Sequence, residues 1–153
     1  MPAQALIEMI EAAFCGVTLG NGPSIRETSV IDRYGTDTER QQARALDTTS
    51  RWQDVTSELI ESHIGTFSFG DRESHRFYLP ALMTYAIRNW RHSESLAVDF
   101  TIYALDRCDG GWSLLNEAQV STVIAFLDYM STGTKCDTVA AQSALAKWRL
   151  RKG

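Results

Sequence analysis

Leu6, Met9, Ile10, Ala13 and Phe14 recur at intervals of three and four, the spacing that gathers apolar side chains on one face of an α-helix. The rhythm returns further along. Leu59, Ile60, His63 and Ile64 share a side of a short helix that Thr56 is placed to cap. Leu79, Leu82, Met83, Ala86, Ile87 and Trp90 form the widest apolar stripe, with Ala81, Thr84, Arg88 and Arg91 opposite, so residues 80–90 read as the central core helix. Val120, Val123, Ile124, Leu127 and Met130 predict another helix, and Ala141, Ala144, Leu145 and Trp148 a last one from about Thr138.

Local signals set the helix starts. Ser24 with Glu27, Thr36 with Glu39, and Asn116 with Gln119 match the capping pattern, in which the first side chain accepts from a backbone N–H three residues on and the second reaches back. Asp71 caps a further helix, and Pro80, which lacks a backbone donor, predicts a kink or restart beyond Leu79. The segment from Asp37 to Leu46 is poor in apolar residues and reads as a surface helix; Arg40 and Arg44 on one of its faces are placed for an anion or for solvent. Cys15 to Pro23, with three glycines and a proline, is expected to be the most flexible interior loop. Two places suit extended backbone: Thr66-Phe67-Ser68-Phe69 alternates at period two, and residues 95–105 fit either a strand or, preferably, a helix. The expected architecture is mainly α, a single-domain multi-helix array over residues 1–153, with at most a minor short β element around 66–69 or 96–103.

Composition narrows the function classes. A chain of 153 residues with 44% apolar and 22% charged residues is an ordinary one-domain composition. The net charge of -4 argues against non-specific nucleic-acid binding, which needs a basic surface. The acidity lies in the first half: 5 basic and 10 acidic residues precede position 70, and 10 basic and 9 acidic follow it. No run of roughly 18 apolar residues suggests a membrane span. Cys15, Cys108 and Cys136 form no CxxC spacing, which speaks against a zinc knuckle or disulfide framework and fits a reducing cytoplasm.

Phe77-Tyr78-Leu79-Pro80-Ala81 resembles a signature of a family of small uncharacterised bacterial proteins whose function is unknown. Leu19-Gly-Asn-Gly, Ile31-Asp-Arg-Tyr, Trp52, Phe67-Ser-Phe, Ser95-Leu-Ala-Val-Asp and Ala104-Leu-Asp look like its other blocks, together spanning most of the chain from Val17 to Met130. Where relatives in that family tend to have proline after the equivalent of Asp71, this chain has Arg72. The resemblance implies one bacterial domain and carries over no catalytic residues.

Chemistry-bearing candidates are few. No Gly-x-Ser-x-Gly elbow, His-Glu-x-x-His motif or phosphate-binding Gly-Lys-Ser/Thr loop is present, so no catalytic residue, metal or cofactor is assigned. Asp71, His75, Arg76 and Tyr78, within two turns of one predicted helix, are the candidate binding residues. Trp52, Trp90, Trp112, Tyr78, Tyr85 and Tyr103 are more large aromatics than a core of this size requires, although most belong to it. The expectation is a small cytoplasmic interaction or accessory protein, immunity-like in kind, that meets a basic partner. The alternative is a small hydrolase or metal-dependent enzyme built around His63, Asp71 and His75. Oligomeric state is not legible.

Overall fold

The computed structural model describes residues 1–92 and 96–152, and among these the regular structure is entirely helical. Eight α-helices run α1 (Ala3–Ala13), α2 (Ile25–Asp32), α3 (Asp37–Ala45), α4 (Ser57–His63), α5 (Arg72–Asn89), α6 (Ala97–Asp106), α7 (Glu117–Ser131) and α8 (Thr138–Lys152), with 3₁₀ turns at Trp52–Asp54, Ile64–Phe69 and Gly110–Trp112. Five helices close a ring: α5 packs on α1 and α6, α6 on α8, α8 on α7, and α7 back on α1. The remaining helices, α2, α3 and α4, form a side unit with the Ile64–Phe69 turn. A single apolar cluster from Leu6 to Trp148 unites both parts.

The periodic stripes become the core. Leu6, Ile10 and Phe14 of α1 are completely buried, as are Val123, Phe126, Leu127 and Met130 of α7 and Ala141, Ala144 and Trp148 of α8. All three predicted capping boxes close with both of their hydrogen bonds. The ambiguous segment is helical from Ala97, as favoured; Ser95 lies outside the described residues. The surface helix α3 buries none of its residues.

Three expectations are corrected. Pro80 does not restart the chain: α5 runs through it for 18 residues. The missing N–H leaves the Arg76 carbonyl without its intrahelical donor, while the Thr84 hydroxyl donates to the Pro80 carbonyl at 2.8 Å. What holds the helix together is burial all round, since Ala81 and Thr84, expected on a polar side, are enclosed with Leu79, Leu82 and Met83. Phe67 and its neighbours turn in a 3₁₀ helix instead of a β bridge, because one alternating tetrapeptide finds no strand to pair with.

Three tryptophans also end helices. Trp52 donates its indole N–H to the Phe14 carbonyl at the end of α1, while Trp112 and Trp148 donate to the Ala104 and Leu105 carbonyls in the last turn of α6. These are carbonyls with no partner within their own helix, which explains aromatic residues beyond what packing alone needs. Trp148→Ala is therefore expected to cost about 3–5 kcal/mol of unfolding free energy. Leu150→Ala, at a side chain 82% exposed, should change it by less than about 0.5 kcal/mol; urea unfolding of both variants checks the contrast.

Candidate functional site

The loop between α1 and α2 joins the side unit to the ring, and polar groups hold it there. Gly20 has φ 61°, and a Cβ on it would lie 2.0 Å from Glu73 Oε2; only glycine lets α5 approach so closely. Glu73 accepts from the Asn21 N–H at 3.1 Å, Ser74 Oγ donates to the Pro23 carbonyl at 2.7 Å, and the Ile25 N–H donates to Tyr78 Oη at 2.8 Å. From the other side Arg44 donates to the Gly20 and Gly22 carbonyls. The loop expected to be flexible is thus pinned on both sides, and its Asn21 amide is spent on a carboxylate.

Beneath it lies a buried acid. Glu27 is 5% exposed; its Oε1 accepts from the Ser24 N–H and from Arg44 at 2.9 Å, and its Oε2 from Arg40 at 3.4 Å. The anion that Arg40 and Arg44 hold is therefore this internal carboxylate. Asp47, with its side chain fully buried, likewise pairs with Arg26 and accepts from the Arg26 N–H.

The candidate residues of α5 separate in space. Asp71 caps the helix by accepting from the Ser74 N–H at 3.0 Å. Tyr78 is 2% exposed, and burial raises its pKa, so it stays a neutral phenol whose oxygen accepts the Ile25 N–H. Arg76 keeps a buried Nε without a hydrogen-bond partner. His75 lies between Phe67 and Trp112, with ring centroids 4.7 and 5.3 Å away. Neither of its ring nitrogens makes a hydrogen bond of good geometry. Desolvation lowers its pKa, opposed by the nearby carbonyls of Phe67 and Gly111 and by the Asp109 and Asp71 charges. His63, at the end of α4, is half-buried with Nδ1 2.9 Å from Ser29 Oγ. Among the described residues no three His, Cys, Asp or Glu side chains group to hold a metal ion, so His63, Asp71 and His75 do not form one ligand set.

Several openings lie among the described residues. A space of about 30 Å³ lies beside His75, too small for more than a water or so. A wide cleft of about 590 Å³ separates the start of α7 from Arg151 and Lys152. A polar crevice of about 120 Å³ lies between α1, the Trp52–Asp54 turn, α4 and α5, and is lined by Glu11, Trp52, Ile60, Thr84, Tyr85 and Arg88 among others. Arg88, read from the sequence as lying opposite the apolar stripe, and Glu11, which the sequence did not single out, meet the same opening. No local motif announces them, because one comes from each of two helices far apart in the chain.

A family model described as a family of unknown function, DUF6714, matches residues 2–151. The chain belongs to that family. No curated protein and no solved structure matches the chain. Membership over nearly the whole length agrees with one core running from α1 to α8, and no helix among the described residues is long and apolar enough to cross a membrane.

Two predictions follow from the buried polar groups. Glu27→Ala removes a carboxylate that two arginines share and is expected to cost about 3 kcal/mol, whereas Glu39→Ala, in the same sequence motif on an exposed helix, should cost no more than about 1 kcal/mol; denaturant midpoints decide. His75, with its pKa held below the ordinary 6.5 in the folded chain, leaves stability intact above that value and erodes it as pH falls below it, because the unfolded chain takes up the proton first. His75→Phe should keep the ring stack, lose two unpartnered nitrogens, and show a shallower drop in stability between about pH 7.5 and 5 than the wild type.

Proposed function

We propose that this is a non-catalytic interaction protein, immunity-like in kind, whose acidic N-terminal half meets a basic partner. One observation carries the reading. Every arginine before residue 70 is committed to an ion pair within the chain: Arg26 with Asp47 and Arg40 and Arg44 with Glu27 around buried carboxylates, and Arg33 with Glu39 and Arg51 with Asp54 at the surface. Glu8, Glu11, Asp32, Asp37, Glu58 and Glu61 are all exposed and have no cationic partner among the described residues. The five arginines are spent on four of the ten carboxylates before residue 70, so the excess acid faces solvent.

Uncompensated surface carboxylates steer a cationic partner and fix its orientation more than they add raw affinity. The engagement of Asp71 and Tyr78 by backbone groups, and of His63 by Ser29, supports placing recognition on this surface instead of at the start of α5. Oligo-lysine and oligo-arginine peptides should bind the full chain, at least about tenfold more weakly at roughly 0.3 M salt than at roughly 0.05 M. Replacing Glu8, Glu11, Glu58 and Glu61 together by Gln should weaken binding by a similar factor, measured by calorimetry. Equal affinity for oligo-glutamate, or no effect of the replacement, would overturn the proposal.

A further inference from the structure

The crevice between α1 and α5 carries two charges of opposite sign that are unpaired among the described residues. Glu11 of α1 and Arg88 of the last turn of α5 both line it. They do not pair with each other, and no other ion pair or hydrogen bond engages either side chain among the described residues. This contrasts with every arginine of the first half, each of which has found a carboxylate. The inner wall is partly apolar, with Trp52, Ile60 and Ala81 buried behind the opening. The Thr84 hydroxyl and the Asn89 amide already donate to main-chain carbonyls of α5, so the crevice offers a ligand the two charges together with the neutral side chains of Gln53 and Ser57.

From this arrangement we propose that the crevice binds a small amino acid, with its ammonium group at Glu11, its carboxylate at Arg88 and its carbon skeleton against Trp52 and Ile60. A ligand of one charge alone would satisfy one wall and bring its own charge towards a like one. A zwitterion meets both, and the arginine fork is suited to a carboxylate. The available space of about 120 Å³ restricts the occupant to a small molecule. The proposal goes beyond the charge-driven protein contact, since the crevice selects for both signs where the surrounding surface selects for one.

Calorimetry and amide chemical-shift mapping on the full chain test it, with L-alanine, L-serine, L-valine and 4-aminobutyrate as probes, and with the N-acetylated and C-amidated forms of whichever binds most tightly. At least one free amino acid should saturate with shifts confined to residues around Glu11, Trp52 and Arg88. Acetylation and amidation should each weaken it by about tenfold, the loss expected for one charge-assisted hydrogen bond. Glu11→Gln should abolish the distinction between free and acetylated amine, and Arg88→Gln that between carboxylate and amide. Both positions are exposed, so the fold should survive, and an unchanged far-ultraviolet spectrum verifies this. Glu8→Gln with Glu58→Gln should leave the amino acid bound as before while weakening oligo-lysine, which separates failure of this site from failure of the acidic surface. No saturable binding up to on the order of 10 mM, or equal binding of the free, acetylated and amidated forms, would overturn the inference.

Discussion

Enclosure of α5 is the constraint on which the rest of the molecule depends. A helix enclosed along most of its length cannot present a polar stripe to water, so its buried polar groups depend on partners in the protein; the His75 ring nitrogens and Arg76 Nε are the ones left without. Ser74 reaches Pro23, Thr84 turns back on Pro80, Tyr78 takes the first amide of α2, and Tyr85 donates to Glu61. Each of these bonds except Thr84's points to a different neighbouring segment. The central helix therefore positions its surroundings by hydrogen bonds as well as by apolar contact.

The same accounting governs the acidic half. Burying Glu27 and Asp47 requires cations, and the only cations the first half of the chain contains are five arginines, all of which are used in ion pairs. A buried carboxylate left without its guanidinium would cost several kcal/mol, whereas an exposed one left unpaired costs almost nothing. Arg26, Arg40 and Arg44 accordingly stay with the two buried acids, Arg33 and Arg51 pair at the surface with Glu39 and Asp54, and the carboxylates left over make the surface one-signed. Interior electrostatics and the proposed recognition of a basic partner are in this sense one phenomenon.

Much of the fold was legible because its determinants are local. Apolar periodicity reports a helix through residues three and four apart, and a capping box is complete within four residues, so α1, α2, α3, α7 and α8 were readable from their own segments. Pro80 misled for the opposite reason: its local preference for a break was outweighed by burial among neighbours distant in sequence. The site was far less legible. Glu27 and Glu39 occupy the same position of a capping box, yet one is a buried anion held by two arginines and the other lies on an exposed helix; the capping pattern itself does not tell them apart. Glu11 and Arg88 meet at one crevice with most of two helices and a side unit between them in the chain.

Helix positions, their capped starts, the inward faces and the acidic bias of the first half are properties of short stretches of chain, and the amino-acid order alone determined them. Which carboxylates are buried with arginines and which are left facing solvent, how a proline is carried through a helix, where three indoles find the ends of other helices, and which charges line a common crevice were decided only when the ring of helices closed. The physical reason is that these outcomes depend on dielectric surroundings and on distances between segments remote in sequence, quantities that have no value until the chain is folded.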